Sequence, residues 1–111
     1  LESDMLLIGT DGGDVFTFSP SSGRQFTRLA SIDGRIHDFY KENGSSRKIL
    51  IGSDAGLHVY DVAEKSLTRS GDALDHESIY RFYTDREGAL WVGTYFSGVF
   101  YRQPKHKPHN L

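Results

Sequence analysis

One phrase is spoken three times in this chain of 111 residues. "MLLIGTDGGDVFTF" (Met5 to Phe18), "KILIGSDAGLHVYD" (Lys48 to Asp61) and "ALWVGTYFSGVFYR" (Ala89 to Arg102) share one order. Each runs through three or four apolar residues, a glycine, a Thr or Ser, a short glycine-containing turn and a second apolar strand. The anchoring glycines Gly9, Gly52 and Gly93 fall 43 and 41 residues apart. A further strand precedes two of the copies, "RIHDFYKENG" (Arg35 to Gly44) and "SIYRFYTDREG" (Ser78 to Gly88), where Ile36 and Ile79 repeat the step of 43. A period near 40 to 45 residues is that of four-stranded propeller blades, each of which buries its faces only against its neighbours.

The second copy predicts four strands, at about Arg35–Tyr40, Lys48–Ser53, Leu57–Asp61 and Ser66–Ser70. No window repeats at 3.6 residues, and Gly, Asn, Asp and Ser fill the connections, as hairpins require. The chain is thus expected to be all-β, an array of antiparallel sheets making about two and a half blades of an incomplete β-propeller. The expected division is residues 1–33 as a partial blade without its first strand and 34–74 as a complete one. Residues 75–103 then form a blade without its fourth strand, and 104–111 a tail. "LLI", "ILI" and "LWV" are apolar at every position, so these strands are expected to be covered on both faces, with Trp91 packed between blades. In the third strands Val15, Leu57 and Val99 alternate with Phe16, His58 and Phe100. Gly9, Gly52 and Gly93 end the covered strands, where the lack of a side chain admits a close neighbour or a bulge. Since propellers close with four to eight blades, open terminal blades are expected to drive self-association.

Composition excludes several classes. A net charge of −2 gives no basis for a nucleic-acid surface or a polybasic membrane contact. Without cysteine there is no disulfide or thiolate metal site. The apolar runs are too short for a membrane helix, and "LESDMLLIG" has no basic leader. Asp11, Asp14, Asp54, Asp85 and Glu87 sit in turns, where an acid bonds its own backbone. They form neither a glycosidase pair nor a calcium loop. His37, His58, His76, His106 and His109 share no metal-ligand spacing, and no nucleophile elbow or phosphate loop occurs. "NGS" at Asn43 reads as a tight turn rather than a glycan acceptor. No cofactor, metal or catalytic residue is expected.

The third copy is the most complete. Its order Ile-x-x-Phe, Asp-x-x-Gly-x-Leu-Trp-Val-Gly-Thr, Gly-Val-x-Tyr resembles the two-component regulator propeller repeat. That repeat occurs in tandem in the sensor regions of hybrid two-component histidine kinases of the Bacteroidetes type. The motif falls on Asp85, Gly88, Leu90, Trp91, Val92, Gly93, Thr94, Gly98 and Val99. The first copy matches at Ile8, Gly9, Thr10, Gly13 and Val15, and the second at Ile51, Gly52, Ser53, Gly56 and Leu57. Neither has the tryptophan, and "KENGSSRK" replaces Asp-x-x-Gly in the second. The resemblance implies a non-catalytic periplasmic sensor segment that helps recognise an oligosaccharide or monosaccharide and signals to a kinase lying outside this chain. No nucleic acid or direct membrane contact is implied. The insert "YFSG" is where this copy departs from its sisters. Its Tyr95 and Phe96 are the candidate sugar-stacking pair, with Arg81 or Arg86 as candidate cations for a uronate or sulfate.

Overall fold

The computed structural model describes residues 6–20, 25–41 and 47–102. The expected tail at 104–111, with His106 and His109, and the turn at Asn43 lie outside the described residues. Among the described residues ten strands make three antiparallel sheets. The first sheet holds β1 (Leu6–Gly9), β2 (Asp14–Ser19) and β3 (Gln25–Ser31), and the middle one β4 (Ile36–Lys41), β5 (Lys48–Ser53), β6 (Gly56–Asp61) and β7 (Ser66–Arg69). The third holds β8 (Ile79–Thr84), β9 (Leu90–Thr94) and β10 (Val99–Arg102). Neighbours in sequence are neighbours in every sheet. The chain is all-β, three blade-like sheets in a row, and among the described residues no helix is long and apolar enough to cross a membrane.

Two apolar clusters separate the three sheets, and the period of two along a strand assigns side chains to them. In β5, Ile49 and Ile51 enter the cluster shared with the first sheet, together with Val15, Ile32 and Tyr60. Leu50, between them, enters the cluster shared with the third sheet, with Leu57, Ile79, Phe82, Leu90 and Val92. β5 is therefore covered on both faces, as its "ILI" suggests.

The same expectation fails for "LLI" and "LWV". Leu6 is 53% exposed and Trp91 37% exposed, because each outer sheet meets a described neighbour on one face alone. The register gives the row Tyr83, Trp91 and Tyr101 across the third sheet. The equivalent row in the middle sheet is Tyr40, Leu50 and Val59, which packs into the cluster shared with the third sheet. Trp91 is therefore not buried between sheets. It packs against the Tyr101 ring with centroids 4.8 Å apart.

The repeated glycines explain how the sheets approach one another. A Cβ on Gly52 would stand 2.6 Å from Ile79 Cγ2 and 3.3 Å from the Phe82 ring. A Cβ on Gly9 would collide with Ile36 and Phe39 in the same way. The Ile-x-x-Phe of each new sheet thus seats its isoleucine on the glycine of the sheet before it. Asp38 fastens the second of these junctions. Its Oδ2 accepts the Phe82 N–H across the gap at 2.8 Å while Oδ1 accepts the N–H of Phe39 at 2.9 Å.

The residue after each glycine closes the following turn. Ser53 Oγ accepts the Ala55 N–H, and Thr94 Oγ1 accepts the Ser97 N–H and donates to the Gly98 carbonyl at 2.7 Å. At the other end of β9, Asp85 organises the β8–β9 turn. Its Oδ1 accepts N–H groups of Glu87 and Ala89, and Oδ2 accepts the Trp91 indole N–H at 3.0 Å. The indole bond is the chief cause that holds the Asp85 carboxyl below the ordinary carboxylate range. Gly88 completes the turn at φ 83°, in the left-handed region that favours glycine. The Asp-x-x-Gly-x-Leu-Trp order is thus one local device, a capped turn tied to the ring of its own strand.

Candidate functional site

The β5–β6 and β9–β10 turns emerge at the same end of adjacent sheets, and the 41-to-43-residue repeat makes their residues equivalent. Asp54 N–H bonds the Arg35 carbonyl at 3.0 Å, and Tyr95 N–H bonds the Ser78 carbonyl at 2.9 Å. Asp54 and Tyr95 therefore hold one position, Arg35 and Ser78 another, and His37 and Tyr80 a third. Between the two turns opens a groove of about 520 Å³, lined by Arg35, His37, Asp54, Ser78, Tyr95 and Phe96.

Its aromatic wall comes from the insert. Tyr95 is 52% exposed and Phe96 87% exposed. Tyr95 is held edge-on to the His37 ring at 5.2 Å and lies at the same distance from the Tyr80 ring. Phe96 adjoins Tyr95 at 6.1 Å and presents the more exposed ring.

Its polar wall centres on Asp54. His37 Nε2 donates to Asp54 Oδ1 at 2.7 Å, and Ser78 Oγ donates to the same oxygen at 3.0 Å. The His37 bond is the main cause that lowers the Asp54 pKa from its ordinary value, so the carboxylate stays ionised. Ser, Asp and His are all present, but with the acid in the middle. A nucleophilic triad needs the imidazole between hydroxyl and acid to take the hydroxyl proton. Here Ser78 donates to the carboxylate, and this order gives no activated nucleophile. The arrangement can accept hydrogen bonds and offer an aromatic face. Among the described residues no group of three or more His, Asp or Glu gathers as a metal site.

Tyr95 and Phe96 stand in the groove, whereas Arg81 and Arg86 do not line it. Arg81 is exposed in mid-β8, opposite Gly93. Arg86 lies in the β8–β9 turn, at the other end of the strands. The arginine that lines the groove is Arg35, whose Nε pairs with Asp11 Oδ1 at 3.4 Å. Sequence reasoning missed Arg35, His37, Asp54 and Ser78 as groove residues. The signal lay in the same step of 43, which carries Arg35 onto Ser78 and His37 onto Tyr80.

A family model for the two component regulator propeller matches residues 73–96. The matched stretch holds β8, β9, the Asp85 turn and the site residues Ser78, Tyr95 and Phe96. No curated protein matches the chain. By the Ile-x-x-Phe strand seated on the preceding sheet, the Asp85 turn and this match, residues 73–96 carry a two component regulator propeller repeat.

Proposed function

We propose that this chain is a non-catalytic part of a periplasmic sensor propeller. Its groove contributes to recognition of a glycan-derived ligand, and the sheet stack passes the bound state toward a histidine kinase elsewhere in the protein. The observation that carries this reading is the exposed Tyr95–Phe96 pair beside the ionised Asp54 in one open groove. Sugar rings offer an apolar face for stacking and hydroxyls for hydrogen bonding, and the groove is lined by both an aromatic pair and a carboxylate. Stacking on each aromatic contributes about 0.5–1.5 kcal/mol. The double variant Tyr95→Ala/Phe96→Ala is therefore expected to weaken oligosaccharide binding by between about fivefold and about 150-fold in titration calorimetry. Unchanged binding in the variant, or no binding by the wild type, would count against a sensing groove.

A second reading is supported by a different surface. Tyr83, Trp91, Val99 and Tyr101 share one exposed face of the third sheet, while Leu6 and Phe26 are exposed on the first. In this reading the segment is architectural, docking further sheets or a second copy through those faces.

A further inference from the structure

The two junctions between sheets differ in the residue that faces the turn acid, and the difference bears on what the groove accepts. At the first junction the turn acid, Asp11, is matched by the Arg35 guanidinium. At the second, the equivalent acid Asp54 meets Ser78 in place of an arginine. Both hydrogen bonds to Asp54 fall on Oδ1, so Oδ2 accepts from neither His37 nor Ser78. The Asp54 side chain remains 49% exposed. His37 is committed to this carboxylate, and Arg35 is already shared with Asp11.

Resting on the glycan reading of this groove, we propose that it selects neutral sugars. A pyranose face lies on Phe96 and Tyr95, adjacent hydroxyls donate to Asp54 Oδ2, and uronates and sulfated sugars are rejected. A carboxylate accepts hydroxyl donors through short, charge-assisted hydrogen bonds. A ligand carboxylate or sulfate offers no such donors, and its charge would stand near an ionised Asp54, with the lining guanidinium of Arg35 already paired through Nε to Asp11. Arg81 and Arg86, the cations expected for an acidic sugar, do not line this groove.

The test is calorimetric titration of the full chain with two sets of tetrasaccharides. One is neutral (gluco-, manno-, xylo- and galacto-oligosaccharides), and the other is a galacturonate oligosaccharide of the same length. The best neutral probe is expected to bind at least tenfold tighter than the uronate. Asp54→Asn keeps an acceptor oxygen for His37 and Ser78, and is expected to weaken the neutral probe severalfold and narrow the gap. Ser78→Arg, which copies the first junction, is expected to raise uronate affinity while circular dichroism stays that of the wild type. Tighter uronate binding by the wild type, or an unchanged preference in both variants, overturns the selectivity and leaves glycan binding standing. Failure of every sugar overturns both.

Discussion

At the position that Phe16 and Phe100 hold in the outer sheets, the middle sheet carries His58, 7% exposed, with its Nδ1 buried and unpartnered among the described residues. Burial, then the nearby Arg69 charge, push its pKa below the ordinary value of 6.5, so the imidazole is neutral in the folded protein. The unfolded chain binds a proton more readily, so this contribution to stability is present above about pH 6.5 and is lost as pH falls from there toward the folded value. His58→Phe places the sister residue at the site and removes an unsatisfied buried atom. It is expected to raise stability by about 1 kcal/mol at neutral pH and to flatten the loss between about pH 7 and 5, as read from thermal melts across that range. A second, more acidic limb should survive in the variant. Asp54, Asp75 and Asp85 all have lowered values. The stability they supply is present above the ordinary carboxylate range and disappears as pH falls through their folded values.

Strands were readable because their signals are local. "KILIGS" appears as β5 with both ends as expected, and the apolar–glycine–hydroxyl order specifies a strand followed by a hydroxyl-closed turn. Coverage was not readable. "LWV" looks the same whether or not a second sheet covers it, so the sequence points Trp91 to a core while the ring lies exposed. The groove was half readable: Tyr95 and Phe96 stood out as an insert, while Arg35, His37 and Asp54 looked like ordinary strand-end and turn residues until the sheets were stacked. The stacking itself rests on the glycines. Gly52→Ala puts a methyl within 2.6 Å of Ile79 Cγ2, and overpacking of this kind costs about 1–3 kcal/mol. Gly88→Ala meets no atom within 4 Å and is strained through its φ alone. Urea denaturation of Gly52→Ala is therefore expected to show the loss together with a disturbed second junction, seen as greater amide exchange at Phe82, whose N–H Asp38 holds. Undisturbed exchange at Phe82 would show that the sheets do not seat through Gly52.

The described residues form a row of three sheets whose outer faces carry the Tyr83–Trp91–Tyr101 row at one end and Leu6, Phe18 and Phe26 at the other. Such faces differ from each other, and docking one on the other is expected to build a head-to-tail assembly. Light scattering is expected to give a mass that rises with concentration, and Trp91→Ser/Tyr101→Ser should lower it without touching the groove. A constant monomer mass at all concentrations would contradict self-association through these faces. Groove and open face lie on different parts of the third sheet, which makes one measurement decisive for the proposed function. In a backbone and indole N–H NMR titration with the best-binding neutral tetrasaccharide, the expected shifts fall on His37, Asp54, Ser78, Tyr95 and Phe96, with Tyr83, Tyr101 and the Trp91 indole unmoved. Shifts centred on the Trp91 face, with the groove silent, would contradict it.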